Sequence, residues 1–243
     1  MDELDERETD SGETIASAAM RAADALREHI LVGKVPAGSV LRETALCELL
    51  DVSRNTVREA LRQLVSEGLL DQQLYKGTTV RTMSCEDVRD IFAVRRALQF
   101  RAIEESALAP QERFDALQRF VDDADQAVRA GDWLSAGTAN LRFHHGIVAL
   151  LGSQRLDTFF AVVMTQLSLA LADARSDQGF QSHWIKGNRS ICEHLCSGQR
   201  KEAALALTQF LDESERVVLD IVRFTWRRLN AGAAAGKPFA SFS

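Results

Sequence analysis

Arg54, Asn55, Arg58, Arg62 and Gln63 recur at spacings that leave them facing outward on one helix, and their chemistry is that of base and phosphate recognition. Arginine bonds bidentately to guanine, and asparagine to adenine. Val57, Ala60, Leu61, Leu64 and Val65 follow the i, i+3, i+4, i+7, i+8 rule and give the same helix a buried stripe. Ser53 stands at the N-cap with Val52 and Val57 at the staple positions, and Gly68 closes the helix. A capped N-terminus also offers backbone N–H groups to a phosphate. An ordinary solvated basic face would use the same residues, so the choice rests on what surrounds them.

Further along, polar residues fall on apolar stripes. Arg95 lies on a face formed by Val88, Ile91, Phe92, Leu98 and Ala102. A buried guanidinium needs a partner, because an unpaired charge in a low dielectric is costly. That partner is either an acidic neighbour or the carboxylate of a bound effector. Asn140 and His144 stand at i, i+4 beside the inner residues Leu141, Val148 and Leu151, while His145 points elsewhere. Cys192 and Cys196 have the spacing of two legs of a metal site, although ordinary thiols are the commoner fate of such a pair. No Gly-rich phosphate loop or nucleophile elbow is present, and an enzyme or metal-binding bundle using His144 is the alternative function.

These residues need elements to hold them. The 243 residues suffice for two modest domains of soluble composition. No apolar run approaches a membrane span, and the acidic start lacks the regions of a signal peptide, so the expected location is cytoplasmic. The net charge of -6 argues against a generic nucleic-acid coat, whereas Arg54 to Arg62 is locally basic. Four cysteines without framework spacing point to reduced thiols.

Residues 1–12 are acidic and read as disordered. Residues 13–81 read as an amphipathic helix with the stripe Ile15, Ala19, Ala22, Ala23, Leu26 and Ile30, then a short strand, a helix from about Thr44 to Leu50, the helix after Ser53, and a hairpin with Gly77 near its tip. Residues 82–85 are a linker, and 86–230 show six helical patterns broken at Pro110, Gly131, Gly152, Gly179 and Gly198. Residues 231–243 read as a flexible tail. The fold class is mainly α: a winged helix-turn-helix followed by an all-α six-helix bundle.

The run Ile30 to Leu41, followed by Val52-Ser53-Arg54-Asn55-Thr56-Val57-Arg58-Glu59-Ala60-Leu61 and Glu67-Gly68-Leu69, resembles the DNA-binding half of GntR-family bacterial transcription regulators. The resemblance implies that Ser53, Arg54, Asn55, Thr56 and Arg58 meet DNA, with Arg42 and Thr44 beside the second helix and Lys76 and Gly77 at the wing tip. Val94-Arg95-Arg96-Ala97-Leu98 and Phe143-His144 resemble the FCD branch of those regulators, the FadR subfamily, whose helical domain binds an effector and forms a homodimer.

In that branch, the resemblance implies a divalent metal held by an Asp and a His of the third bundle helix and by two further His. Here those four positions carry Asn140, His144, Asn188 and Phe210. One ligand of four survives, so no metal and no other cofactor is expected. The implied effector is a small organic acid with an apolar part, met by Arg95, Asn140, His144, Asn188 and Phe210. The expected function is a dimeric repressor that reads a palindromic duplex operator, with no catalytic residue and no membrane partner.

Overall fold

The computed structural model describes residues 5–73, 77–172, 178–234 and 241–242. The chain divides into two compact units, Met1–Thr82 with Arg227–Ser243, and Met83–Trp226.

The first unit contains α1 (Asp5–Leu31), β1 (Val40–Leu41), α2 (Glu43–Leu50), α3 (Arg54–Ser66), β2 (Leu70–Gln73), β3 (Gly77–Val80) and β4 (Ser241–Phe242). Ala19, Ala22, Ala23, Leu26 and Ile30 of α1 are buried, as are Val57, Ala60, Leu61 and Leu64 of α3, and the two helices pack together. Each buried Val, Leu or Ile among them contributes about 1.5–3 kcal/mol, and each alanine methyl less. α3 ends in a Schellman motif: Leu69 N–H donates to Leu64 O and Gly68 N–H to Val65 O, with Gly68 at φ 71°. Arg27 of α1 closes the same corner, donating from Nε and Nη2 to the two carboxylate oxygens of Glu67 at 2.9 and 2.6 Å.

The sheet order is β2-β3-β1-β4. β2 and β3 form the antiparallel hairpin of the wing, with Gln73 opposite Gly77, and β1 pairs with β3 through Val40↔Thr79. Helix, helix, α3 and hairpin in this order are a winged helix-turn-helix.

Two boundaries differ from the sequence reading. α1 starts at Asp5, inside the stretch expected to be disordered, because adding residues to a formed helix costs far less than starting one. At the other end the expected tail continues as helix to Ala234, and Ser241–Phe242 adds a parallel strand to β1, satisfying an edge that a two-residue strand would otherwise leave open.

The second unit contains α4 (Cys85–Glu105), a 3₁₀ turn (Ser106–Leu108), α5 (Gln111–Ala130), α6 (Trp133–Ala149), α7 (Gln154–Ala170), α8 (Gln178–Cys196) and the part of α9 (Arg200–Ala234) up to Trp226. A capping box between Ser84 and Asp87 starts α4, and the side chains of Asp132 and Ser153 cap α6 and α7. The break read at Gly179 falls inside the first turn of α8 instead, where a single glycine costs only about 1 kcal/mol and does not stop a helix.

α6 touches α4, α5, α7 and α8 and is the most enclosed helix along its inner face, with Leu134, Ser135 and Arg142 left exposed. Small residues make that possible: Ala124 and Ala127 of α5 meet Ala136 and Ala139 of α6 and Ile185 of α8. At Gly137 a Cβ would lie 2.8 Å from Gln181 Nε2, so α6 and α8 approach closely there. Central position is what buries Asn140 and His144. On α4 the inward stripe carries Gln99, with no exposure, whereas Leu98 is half-buried.

Candidate nucleic-acid interface and buried polar site

The N-terminus of α3 is capped as expected: Ser53 Oγ accepts from the Thr56 backbone N–H at 3.1 Å. Ser53, Arg54, Asn55, Arg58 and Arg62 are exposed on α3, and Arg42 and Thr44 are exposed at the start of α2. Two residues depart from the expected face. Thr56 is 5% exposed and its hydroxyl contacts Ser53 Oγ at 2.8 Å, so it serves the cap, as the third residue after an N-cap does. Gln63 is half-buried and donates to Glu67 Oε1 at 3.0 Å, because it sits one turn before that carboxylate.

Arg58 Nε donates to both carboxylate oxygens of Glu43, at 3.1 and 3.0 Å, and Arg62 pairs with Glu59 through Nη1. Hydrogen bonding to Glu43 raises the Arg58 pKa above its ordinary value. Between α3 and the wing lies an open groove of about 300 Å³ whose lining includes Arg58, Arg62, Gln72 and Thr78. Gly77 is exposed at φ 81°, at the start of β3, while Lys76 lies outside the described residues.

In the second unit, Arg95, Asn140, His144, Asn188 and Phe210 are all buried and come from four helices, α4, α6, α8 and α9. The four positions that the FCD resemblance assigns to a metal do meet in pairs. Asn188 Nδ2 donates to Asn140 Oδ1 at 2.6 Å, and the Phe210 ring centroid lies 4.5 Å from that of His144. One imidazole, two neutral amides bonded to each other and a phenyl ring do not fit a divalent ion, which needs anionic or imidazole donors free to turn toward it.

Arg95 is 1% exposed, with its guanidinium carbon 4.7 Å from the Phe92 ring centroid and 6.0 Å from that of Phe210. Its Nε and Nη1 have no hydrogen-bond partner, and no acidic side chain pairs with it among the described residues. The structural ion pair weighed from the sequence is therefore not found there. Acids on the neighbouring helix go to Arg96, which is paired with Asp212 and Glu215 at 2.8 Å each. Burial, and then the charge of Arg96, push the Arg95 pKa down to about 9, which still leaves a cation at neutral pH.

His144 is 1% exposed and held well below the usual histidine range, first by burial and then by Arg95. It is neutral at pH 7. Its Nδ1 lies 2.9 Å from Gln99 Oε1; with the amide in that orientation Nδ1 carries the proton and Nε2, which has no partner, is an acceptor. Gln99 Nε2 and Asn188 Oδ1 are also buried without partners. The site thus presents a cation and an amide donor together with two acceptors, beside the rings of Phe210 and Trp184, whose centroids are 5.2 Å apart.

Gln99 and Trp184 escaped the sequence reading. Their signal was positional: Gln99 is four residues after Arg95 and Trp184 four before Asn188, each on a face already marked as inward.

A capped, exposed basic helix in a winged helix-turn-helix, on one chain with a helical domain holding a buried polar site, defines a DNA-binding transcription regulator rather than an enzyme. The family model "Bacterial regulatory proteins, gntR family" matches residues 18–80, and the FCD domain model matches residues 90–213. The chain belongs to the GntR family of bacterial regulators, with an FCD domain as its second part.

Among similar proteins, a Paenarthrobacter nicotinovorans protein named "Probable D-xylose utilization operon transcriptional repressor" is 28% identical over 80% of this chain and 86% of its own length. The crystal structure of a GntR regulator from Rhodococcus sp. RHA1 superposes with a TM-score of 0.77 at 29% identity, covering 84% of this chain and 98% of that one. E. coli McbR/YncC shares the fold, with a TM-score of 0.70 at 20% identity over 84% of this chain and 97% of that one.

Proposed function

We propose that the protein is a homodimeric, cytoplasmic repressor that reads a palindromic operator with α3 and is released by a small organic acid bound in the second domain. Arg42, Thr44, Ser53, Arg54, Asn55 and Arg58 form the DNA surface, with Lys76 and Gly77 of the wing beside it. The repressor relative supports the direction of control. Two copies related by a two-fold axis suit a palindrome.

The effector reading is carried by one observation: a fully buried guanidinium whose Nε and Nη1 have no partner. A carboxylate at Arg95 relieves the cost of an uncompensated buried cation. A hydroxyl on the same acid would satisfy His144 Nε2 or Asn188 Oδ1, with Asn140 holding Asn188 in place and Phe210 giving an apolar wall. Binding that favours one conformation of the helical domain would shift the DNA-binding equilibrium by its differential affinity for the two states.

The test is a fluorescence-anisotropy titration of the full chain on a duplex obtained by selection, repeated with a panel of hydroxylated and plain monocarboxylates. An effective acid must weaken DNA binding in the wild type, and DNA must weaken acid binding by the same factor. Retention of the full response in Arg95→Met would remove Arg95 from the effector site.

A further inference from the structure

Arg58 is held differently from the other arginines of α3. Its Nε alone engages both oxygens of Glu43, so among the described residues the two Nη groups at its end have no partner. Arg62 is the reverse case, tied to Glu59 of its own helix through a terminal Nη. The Arg58 contact joins two elements that pack together, Glu43 being the first residue of α2 and Arg58 lying in the second turn of α3. A side chain gripped at Nε keeps its terminal fork, the part that bonds guanine O6 and N7, in a restricted set of positions.

We propose that Glu43 is a specificity-determining positioning residue, which braces Arg58 so that its Nη fork reads a guanine. The inference rests on α3 being the DNA-reading helix. Glu43 acts with two opposite signs. Bracing reduces the freedom that Arg58 loses on docking and favours one base at one position. The same carboxylate stands beside a surface meant for phosphates and repels them at every sequence. Glu43 thus lowers general affinity while raising discrimination.

The opposite signs make the proposal testable. Full-length wild type, Glu43→Gln, Glu43→Asp and Arg58→Ala are each used to select from a randomised duplex library, and their affinities for the enriched site and for random duplex are measured at one salt concentration. Wild type is expected to enrich a site with a strongly preferred guanine whose preference Arg58→Ala abolishes. Glu43→Gln should reduce discrimination at that same position roughly tenfold, within the range set by one bidentate arginine–guanine pair, and should bind random duplex more tightly. Glu43→Asp keeps the charge but shortens the brace, so it should lose discrimination without gaining general affinity. If Glu43→Gln and Glu43→Asp keep the guanine preference that Arg58→Ala loses, Glu43 does not position Arg58, and the reading of α3 stands. If wild type enriches no sequence at all, that reading falls and the brace with it.

Discussion

Asn188 Nδ2 donates to Asn140 Oδ1 at 2.6 Å, joining α8 to α6 one helical turn from His144. The bond ties up the two side chains that stand where the FCD resemblance places a carboxylate and an imidazole. It follows that chelators should leave the melting temperature unchanged, and that protein purified without added metal should carry no stoichiometric transition metal by elemental analysis. One tightly held metal per chain, lost in His144→Ala, would contradict this.

On the proposed function, Arg95 sets stability against effector response. Replacing it by methionine keeps an unbranched apolar stem as far as the position of Nε and removes an uncompensated charge, so Arg95→Met is expected to be more stable at pH 7 by about 1–4 kcal/mol in urea unfolding while losing response to organic acids. The pH dependence has a definite sign. The folded-state pKa of about 9 lies below the ordinary 12.5, so between these values the unfolded wild type holds more protons than the folded one. Wild-type stability relative to the variant should therefore be lowest, and constant, below about pH 9 and should recover as pH rises above it. A variant that is less stable at pH 7 would mean that the guanidinium is compensated.

Gly187 is the place where α8 makes room for Phe210: a Cβ there would lie 2.8 Å from Phe210 Cδ2. The ring is also in contact with His144 and Trp184, so it has little space to retreat. Gly187→Ala should destabilise the second unit by about 1–3 kcal/mol through overpacking, read as a lower urea midpoint. The paired change Gly187→Ala with Phe210→Leu should recover part of that loss.

In the first unit, Glu67 accepts from Arg27 through both oxygens and from Gln63, at the C-terminus of α3. Glu67→Ala is expected to cost about 1–3 kcal/mol, more than a typical surface ion pair, because the pair is partly buried and bidentate. A double-mutant cycle with Arg27→Ala gives the coupling directly, and a value near zero would show that the pair is incidental.

Much of this was legible in the sequence, for identifiable reasons. α3 announces itself through a cap, a regular stripe and a closing glycine, and Gly131, Gly152 and Gly198 mark helix ends because each adopts positive φ there. Gln63 departs because helical periodicity says which side a residue lies on but not which neighbour claims its side chain, whereas Thr56, placed at DNA by the GntR resemblance, turns its hydroxyl to Ser53. Gln99 was missed because an amide on an apolar stripe looks like a boundary of that stripe. Only the packing of α6 among four neighbours shows that the position is fully enclosed. The absence of an acid beside Arg95 among the described residues required side-chain geometry, since the sequence does not show that Asp212 and Glu215 hold its neighbour Arg96.

The central claim, that α3 reads DNA through its exposed N-terminal half, is tested most directly by the affinity of an Arg54→Ala/Arg58→Ala variant for the duplex selected by wild type, compared with its affinity for random duplex at the same salt. The variant should bind both about equally, having lost the preference that defines the site. Retention of the wild-type ratio between selected and random duplex would contradict the assignment of that face.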